Sequence, residues 1–238
     1  MKHTITSLLA ALIVVSAAAQ NTDTTSTVVG KKLNFEAPLF GVSVRNLRPT
    51  WSVVAFDEAT MGWNYFFGAP TQIKPSGLYV ELSMLSLRYR PWRDENLFTV
   101  ALLTGVNMHR AQSGFAFGND GSIIPVPAGW ANAKSYFYEE FVGLQMGYVR
   151  EFGAWKGGLF VMPGYGTTQL RNTYTLDGIS GISHIDQLNA NNGFRMGFKA
   201  GLWYQDLGVA VTYKPVIGGA SATVPMYNSV SVGISVRY

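Results

Sequence analysis

The sequence contains no cysteine and only three histidines. Without cysteine there is no disulfide framework, no thiolate metal site and no lipid anchor on a cysteine at a cleavage point. Charged residues are also scarce, at 13% of the chain, against about 25% in ordinary soluble domains. The basic residues are scattered, and no Lys/Arg run is suited to tracking phosphates, so nucleic acid is not an expected partner. Beyond residue 19 no apolar run approaches the roughly 20 residues that a spanning helix needs. Any passage through a membrane must then use closed β-structure, because hydrocarbon cannot satisfy open backbone groups.

What is present falls into three parts. Residues 1–19 have a short polar start at Lys2 and His3, an apolar run from Ile5 to Val15, and Ala17-Ala18-Ala19 before Gln20. This is the pattern of a cleaved signal peptide. Its removal leaves 17 basic and 14 acidic residues, a net charge of +3. Residues 20–49 are a lead-in, with a polar Asn21–Thr27 leader and a short strand-like patch over 34–48. Residues 50–238 form the remaining domain. Glycine is abundant there and aromatics reach 13% of the chain.

The most informative stretch is the last one. Val230, Val232, Ile234, Val236 and Tyr238 alternate with Ser229, Ser231, Gly233, Ser235 and Arg237. One face is apolar and ends in a ring; the other is small, polar or charged. Seven further segments read as strands, at about 50–66, 78–90, 96–108, 136–150, 157–169, 194–205 and 208–217, with the eighth at 227–238. Phe194, Met196, Phe198, Ala200, Leu202 and Tyr204 oppose Arg195, Gly197, Lys199, Gly201 and Trp203. The second strand breaks phase at Met84-Leu85, which predicts a bulge. The phase of the fifth, with Pro163, is open. Short connections (91–95, 151–156, 206–207) alternate with long ones (67–77, 109–135, 170–193, 218–226), and this asymmetry belongs to barrels with tight turns at one end and long loops at the other. Tyr89, Trp92, Phe98, Tyr148, Phe152, Trp155, Tyr204 and Tyr238 gather at the short-turn end. Tyr65, Phe66, Phe67, Tyr79, Tyr136, Phe137, Tyr138, Phe194 and Tyr227 gather at the other, and two aromatic belts fit a bilayer.

The fold expected is therefore an all-β, antiparallel up-and-down transmembrane β-barrel of eight strands, or ten if residues 34–66 supply more. In the AAAQ ending at 17–20, the paired strands with short turns and the terminal VSVGISVRY at 230–238, the chain resembles the small outer-membrane β-barrel domain proteins of Gram-negative bacteria, of the stand-alone type typical of the Bacteroidota. The resemblance covers about residues 50–238. It implies location in the outer membrane after export, contact with outer-membrane lipid, and insertion by the barrel-assembly machinery, which would read Val232, Ile234, Val236 and Tyr238. It does not imply one activity.

The candidate site is a polar network in the lumen. Arg195, Lys199, Lys214 and Arg237 share the inward face, and Glu81, Arg88, Arg90, Glu139 and Gln145 are further members. Side chains just fill an eight-stranded barrel, and charges buried there must be paired. Positive candidates outnumber acids, so some bases are expected to reach water or loop acids. His184 with Asp186 is similar to the water-activating pair of barrel proteases, without their second acidic pair. His109 with Ser113 is similar to the pair of barrel lipid-A deacylases, without an orienting acid. No catalytic, metal-binding or cofactor-binding residue is therefore assigned. Phe115, Phe117, Ile123, Ile124 and Trp130 are apolar for a surface loop and are expected to fold over the mouth as a lid, the alternative being contact with a partner. The role expected is structural, or contact with an extracellular or envelope protein through the loops, without enzymatic activity. The alternatives are a narrow transport pore, or a barrel enzyme acting on lipid A or peptides.

Overall fold

The computed structural model describes residues 50–91, 95–176, 183–217 and 226–238. The expected signal peptide, the expected lead-in and Trp92 lie outside them. The described chain has ten strands and no helix: β1 (Thr50–Phe67), β2 (Ser76–Arg90), β3 (Asn96–Arg110), β4 (Phe115–Phe117), β5 (Ile123–Pro125), β6 (Trp130–Phe152), β7 (Trp155–Leu176), β8 (Ser183–Tyr204), β9 (Leu207–Lys214) and β10 (Asn228–Arg237). Eight of them close into an antiparallel barrel in the order β1-β10-β9-β8-β7-β6-β3-β2, and β4 and β5 form a separate hairpin. The eight barrel strands are those expected from the alternation. Because β1 pairs with β2 on one side and with β10 on the other, the ring is closed by eight strands, with no ninth strand within it.

Period-2 alternation sets which side chains face out. Met61, Trp63, Tyr65 and Phe67 of β1, and Val232 and Ile234 of β10, are exposed, while Thr60, Asn64, Phe66, Ser231 and Ser235 are buried. The same division runs through β6 and β8, and it settles β7. Leu159, Val161 and Tyr165 point out, and Phe160, Met162 and Thr168 point in. Two irregularities adjust this pattern. The β2–β3 register shifts between Met84 and Leu87, with Leu85 at a positive φ of 50°, so the phase break in the sequence is a bulge. A second shift falls between Phe56 and Glu58 of β1.

Two expectations require correction. Residues 170–193 are mostly strand rather than loop, since β7 and β8 stay paired from Trp155↔Tyr204 to Thr175↔Ser183. The aromatic belts also divide differently. At the short-turn end, rings pair across neighbouring strands: Trp51 with Tyr89 (4.4 Å), Phe98 with Tyr148 (5.3 Å) and Trp155 with Tyr204 (5.1 Å). At the other end Tyr65, Phe67, Tyr165 and Phe194 face out, whereas Phe66, Tyr79, Phe137 and Tyr227 are buried inside. Consecutive aromatics on a strand lie on opposite faces, so half of the apparent belt is core.

Where rings fill the lumen, the opposing strand must be bare. Gly143 of β6 pairs with Gly164 of β7, and a Cβ at Gly143 would lie 2.3 Å from Pro163 O and 3.1 Å from Phe141 Cζ. Gly143→Val is expected to destabilise the barrel by about 1–3 kcal/mol, measured as a lowered urea midpoint after refolding into lipid vesicles. An unchanged midpoint would contradict this packing.

Candidate functional site

The interior is built in two layers. The layer nearer the short turns is charged. Asp57 and Glu58 are consecutive in β1, yet both are buried. The register shift beside them turns two adjacent carboxylates inward, where regular alternation admits one. Arg237 of β10 bridges them, with Nη2 3.0 Å from Asp57 Oδ2 and Nη1 3.2 Å from Glu58 Oε2. Arg88 of β2 reaches Asp57 Oδ1 at 2.6 Å and donates to the main-chain oxygen of Tyr238. Lys199 of β8 sits between Glu58 Oε1 and Glu81 Oε1, 2.8 Å from each. Glu58 also accepts from Gln145 Nε2 at 3.1 Å and from Ser235 Oγ at 2.5 Å. Ser235 in turn accepts from Trp203 Nε1 at 2.9 Å. Glu58 therefore joins strands from around the ring.

Lys214 of β9 lies 3.7 Å from Glu81 Oε2, and the faces of Phe141 and Tyr79 lie 4.8 and 5.6 Å from its ammonium. The Arg237 guanidinium is 4.9 Å from the Phe160 ring and 5.3 Å from that of Trp203. Ring faces so supply part of the solvation that water would give these cations. Higher in the barrel, Arg195 pairs with Glu139, and Asn107 Nδ2 donates to Glu139 Oε2 at 2.9 Å.

The structure thus brings together Glu81, Arg88, Glu139, Gln145, Arg195, Lys199, Lys214 and Arg237. Arg90 stands apart, pairing with Glu151 at 3.0 Å beside the short turn, with both side chains more than a quarter exposed. The strand has reached the rim there, and inward phase no longer means burial. Asp57 and Glu58 were missed by sequence reasoning. With them each of the bases Arg88, Arg195, Lys199, Lys214 and Arg237 has an acid inside the lumen and does not have to reach a loop acid. The signal that could have found them is the adjacent acidic pair inside an otherwise apolar-alternating strand.

The second layer closes the mouth. Phe66, Ile73, Ala111, Phe117, Phe137, Leu170 and Tyr227 form one buried cluster, joined by Phe115 and Ile123. Phe115, Phe117 and Ile123 belong to the β4–β5 hairpin, which lies over the opening. Asn172 of β7 fastens it: Phe117 N–H donates to Asn172 Oδ1 at 3.1 Å, and Asn172 Nδ2 donates to Phe117 O at 2.8 Å. Trp130 is not part of this lid. It stacks on Tyr174 at 3.6 Å between ring centres, and Tyr174 stacks on His184 at 5.4 Å.

His109 forms the floor of this layer, stacked on Phe66 at 3.5 Å. Its Nδ1 donates to Lys74 O at 3.1 Å, and its Nε2 accepts from Asn64 Nδ2 at 3.0 Å. Asn64 is oriented by Ser231 Oγ, which donates to Asn64 Oδ1 at 2.9 Å. Both ring nitrogens are thereby committed, and Ser113 is exposed on the loop, so the two do not form a nucleophile–base pair. The side chain of Asp186 lies outside the described residues. Among those residues no three His, Asp or Glu side chains converge as metal ligands.

No family model matches the chain, and no curated protein matches it. Among solved structures it is similar to Ail, the attachment invasion locus protein of Yersinia pestis. The identity is 11%, covering 79% of this chain and 98% of Ail, with a TM-score of 0.32. It is also similar to a chain solved in work on the asymmetric conductivity of engineered proteins. There the identity is 8%, covering 79% of this chain and all of the other, with a TM-score of 0.22. The class that the coordinates define is the closed, eight-stranded antiparallel barrel with a filled interior.

Removing one member of a buried ion pair leaves the other uncompensated and costs about 3–5 kcal/mol. Glu58→Gln and Lys199→Met are each expected to destabilise by that order, and the double variant by clearly less than the sum. Urea unfolding in lipid vesicles measures all three, and strict additivity would mean that the two groups are not coupled.

Proposed function

We propose that the chain is an outer-membrane barrel, closed to ions, that holds a projecting β-sheet outside the cell for contact with a protein partner. The single observation that carries this reading is the inequality of the strands. β9 has 8 residues and β10 has 10, about the 9–11 that a tilted strand needs to cross hydrocarbon. β6, β7 and β8 have 23, 22 and 22; β6 is paired with β3 only from Tyr136 to Arg150 and β8 with β9 only from Phe198 to Tyr204, so the ends over residues 130–135 and 183–197 run on past those neighbours, with β7 paired between them. The outer surface at the shorter strands supports membrane insertion: Leu207, Val209, Val211 and Tyr213 of β9 and Val232 and Ile234 of β10 are all exposed. In water such a band would be a large uncompensated apolar surface.

The projecting part is not apolar in this way. It carries Thr173, Thr175 and the Trp130–Tyr174–His184 stack. β8 pairs with β9 only over Phe198–Tyr204, so among the described residues its remaining length has no ladder partner on that side. An open edge presents unpaired backbone groups that an extended segment of another protein can satisfy. Ion passage is disfavoured because the lumen carries the Glu58–Lys199–Glu81 bridge at one level and the Phe66–Phe137–Tyr227 cluster at the next. A non-enzymatic role agrees with the engagement of both nitrogens of His109. Insertion through the aromatic-ended strand, from Val232 to Tyr238, belongs to the same proposal.

Cell fractionation should recover the chain in the outer membrane, with a mobility on gels that changes only after boiling. In planar bilayers it should give no discrete conductance steps. A variant in which residues 173–185 are replaced by Asn-Gly should keep the heat-dependent mobility. Displayed on a non-adherent Gram-negative host, it should lose the attachment to protein-coated surfaces that the full chain confers. Equal attachment by both forms would sink the role assigned to the sheet.

A further inference from the structure

The mouth is sealed below but not filled. Between the hairpin and the barrel rim lies a half-enclosed chamber of about 320 Å³, at the lower end of the range for small-molecule sites. Its walls come from three parts of the chain: Pro70, Gln72 and Ile73 from the β2 approach, Phe117, Ser122 and Ile123 from the hairpin, and Phe137, Leu170 and Tyr227 from the rim. The floor is blind. Phe66 lies 5.3 Å from both Phe137 and Tyr227, and Phe137 lies 5.6 Å from Tyr227. The stacked His109 closes the way to the charged layer beneath.

The chamber is held open by the construction of its lid. Asn172 grips Phe117 through both backbone groups and is itself fixed by Ser135 Oγ, which donates to Asn172 Oδ1 at 2.7 Å. At the base of the hairpin Val126 N–H donates to Gly114 O at 2.9 Å. At its tip the Ser122 hydroxyl donates to Asp120 Oδ1 at 2.6 Å and holds that carboxyl below its ordinary range. The hairpin therefore cannot settle onto the floor without breaking a buried amide pair. A pre-formed apolar recess of this kind is what a ligand needs in order not to pay for reorganisation.

The lining specifies the chemistry. Among the described residues no charged side chain lines the chamber, so an ionic ligand would lose its hydration without a partner. Three of the walls are rings, and ring–ring contacts contribute about 0.5–1.5 kcal/mol each beyond area burial. Tyr227 also carries a hydroxyl. Burial pushes it up to about 12, so it remains a donor at physiological pH.

We infer that the chamber is a binding site for a small uncharged aromatic molecule that enters from the open side of the mouth and lies among Phe117, Phe137 and Tyr227. The site does not depend on what the projecting sheet binds. Indole serves as the probe. In the full chain in phospholipid nanodiscs, with isoleucine methyls labelled, indole should shift Ile73 and Ile123 saturably and give intermolecular NOEs to both. Ile234, on the outer face, should show only the linear drift of partitioning into lipid. Ile123→Trp, which fills the chamber, should weaken the saturable shifts by at least about tenfold while keeping the heat-dependent mobility. The wild-type NOEs stand as an independent readout if that variant does not assemble. Absence of NOEs to Ile73 and Ile123, or shifts there no more saturable than at Ile234, would overturn the site. Saturable binding of dodecanoate in place of indole would overturn the aromatic assignment.

Discussion

Everything in this structure depends on joining the two ends of the described chain. β1 and β10 are separated by nearly the whole domain, and closing a loop of that length is the largest single entropic cost of the topology. Ten register pairs, from Glu58↔Arg237 to Phe67↔Asn228, zip the seam. Inside, Arg237 spans from β10 to both Asp57 and Glu58 of β1, Ser235 donates to Glu58 and Ser231 to Asn64. An open seam would expose two rows of backbone donors and acceptors and strand two carboxylates and a guanidinium together. The side chains that lock the seam are therefore also those that lose most if it opens, which makes closure cooperative.

The same arrangement explains how an inverted molecule, apolar outside and polar inside, tolerates so much buried charge. A lone buried ion would be costly, and a single pair gives little net stability. Here three acids are each shared by two cations: Glu58 meets Lys199 and Arg237, Asp57 meets Arg88 and Arg237, and Glu81 meets Lys199 and Lys214. Each cation in turn rests on a second acid, a ring face or a main-chain oxygen. The network fixes strands relative to one another more than it adds stability, and it fills a lumen that hydrophobic side chains alone would leave unspecific.

The barrel was legible in the sequence because its outer face is apolar and its inner face is not. Wherever that contrast holds, as in β3, β8 near Phe198 and β10, alternation locates the strand and its phase. It fails where both faces meet water. Residues 170–176 and 183–193 are paired strand, but Thr173, Tyr174 and Thr175 are all partly exposed, so the two faces there differ too little to read, and the segment looks like loop. It fails again at Asp57-Glu58, because a bulge lets neighbours share a face and parity then assigns one of them outward. Phe66, Phe137 and Tyr227 were visible as aromatics but not as a plug. That needs the mouth to be known as a place where inward residues pack on one another.

The position of that plug also separates two kinds of interior. Below the Asn64–His109–Ser231 chain the acids and bases of the lumen are joined by ion pairs; above it the packing is carried by rings and by the amide of Asn172. His109 belongs to both, stacking on Phe66 with its face and bonding Asn64 and Lys74 O with its edges. An imidazole suits this boundary because it offers a flat apolar surface and two polar edges at once. A charged histidine there would need an acceptor in place of the Asn64 amide, which only donates in this geometry. The boundary is thus held by a neutral ring. The charge balance of the lower layer is therefore insulated from the mouth, and the two layers do different work: one ties the strands together by ion pairs, the other closes the lumen with rings.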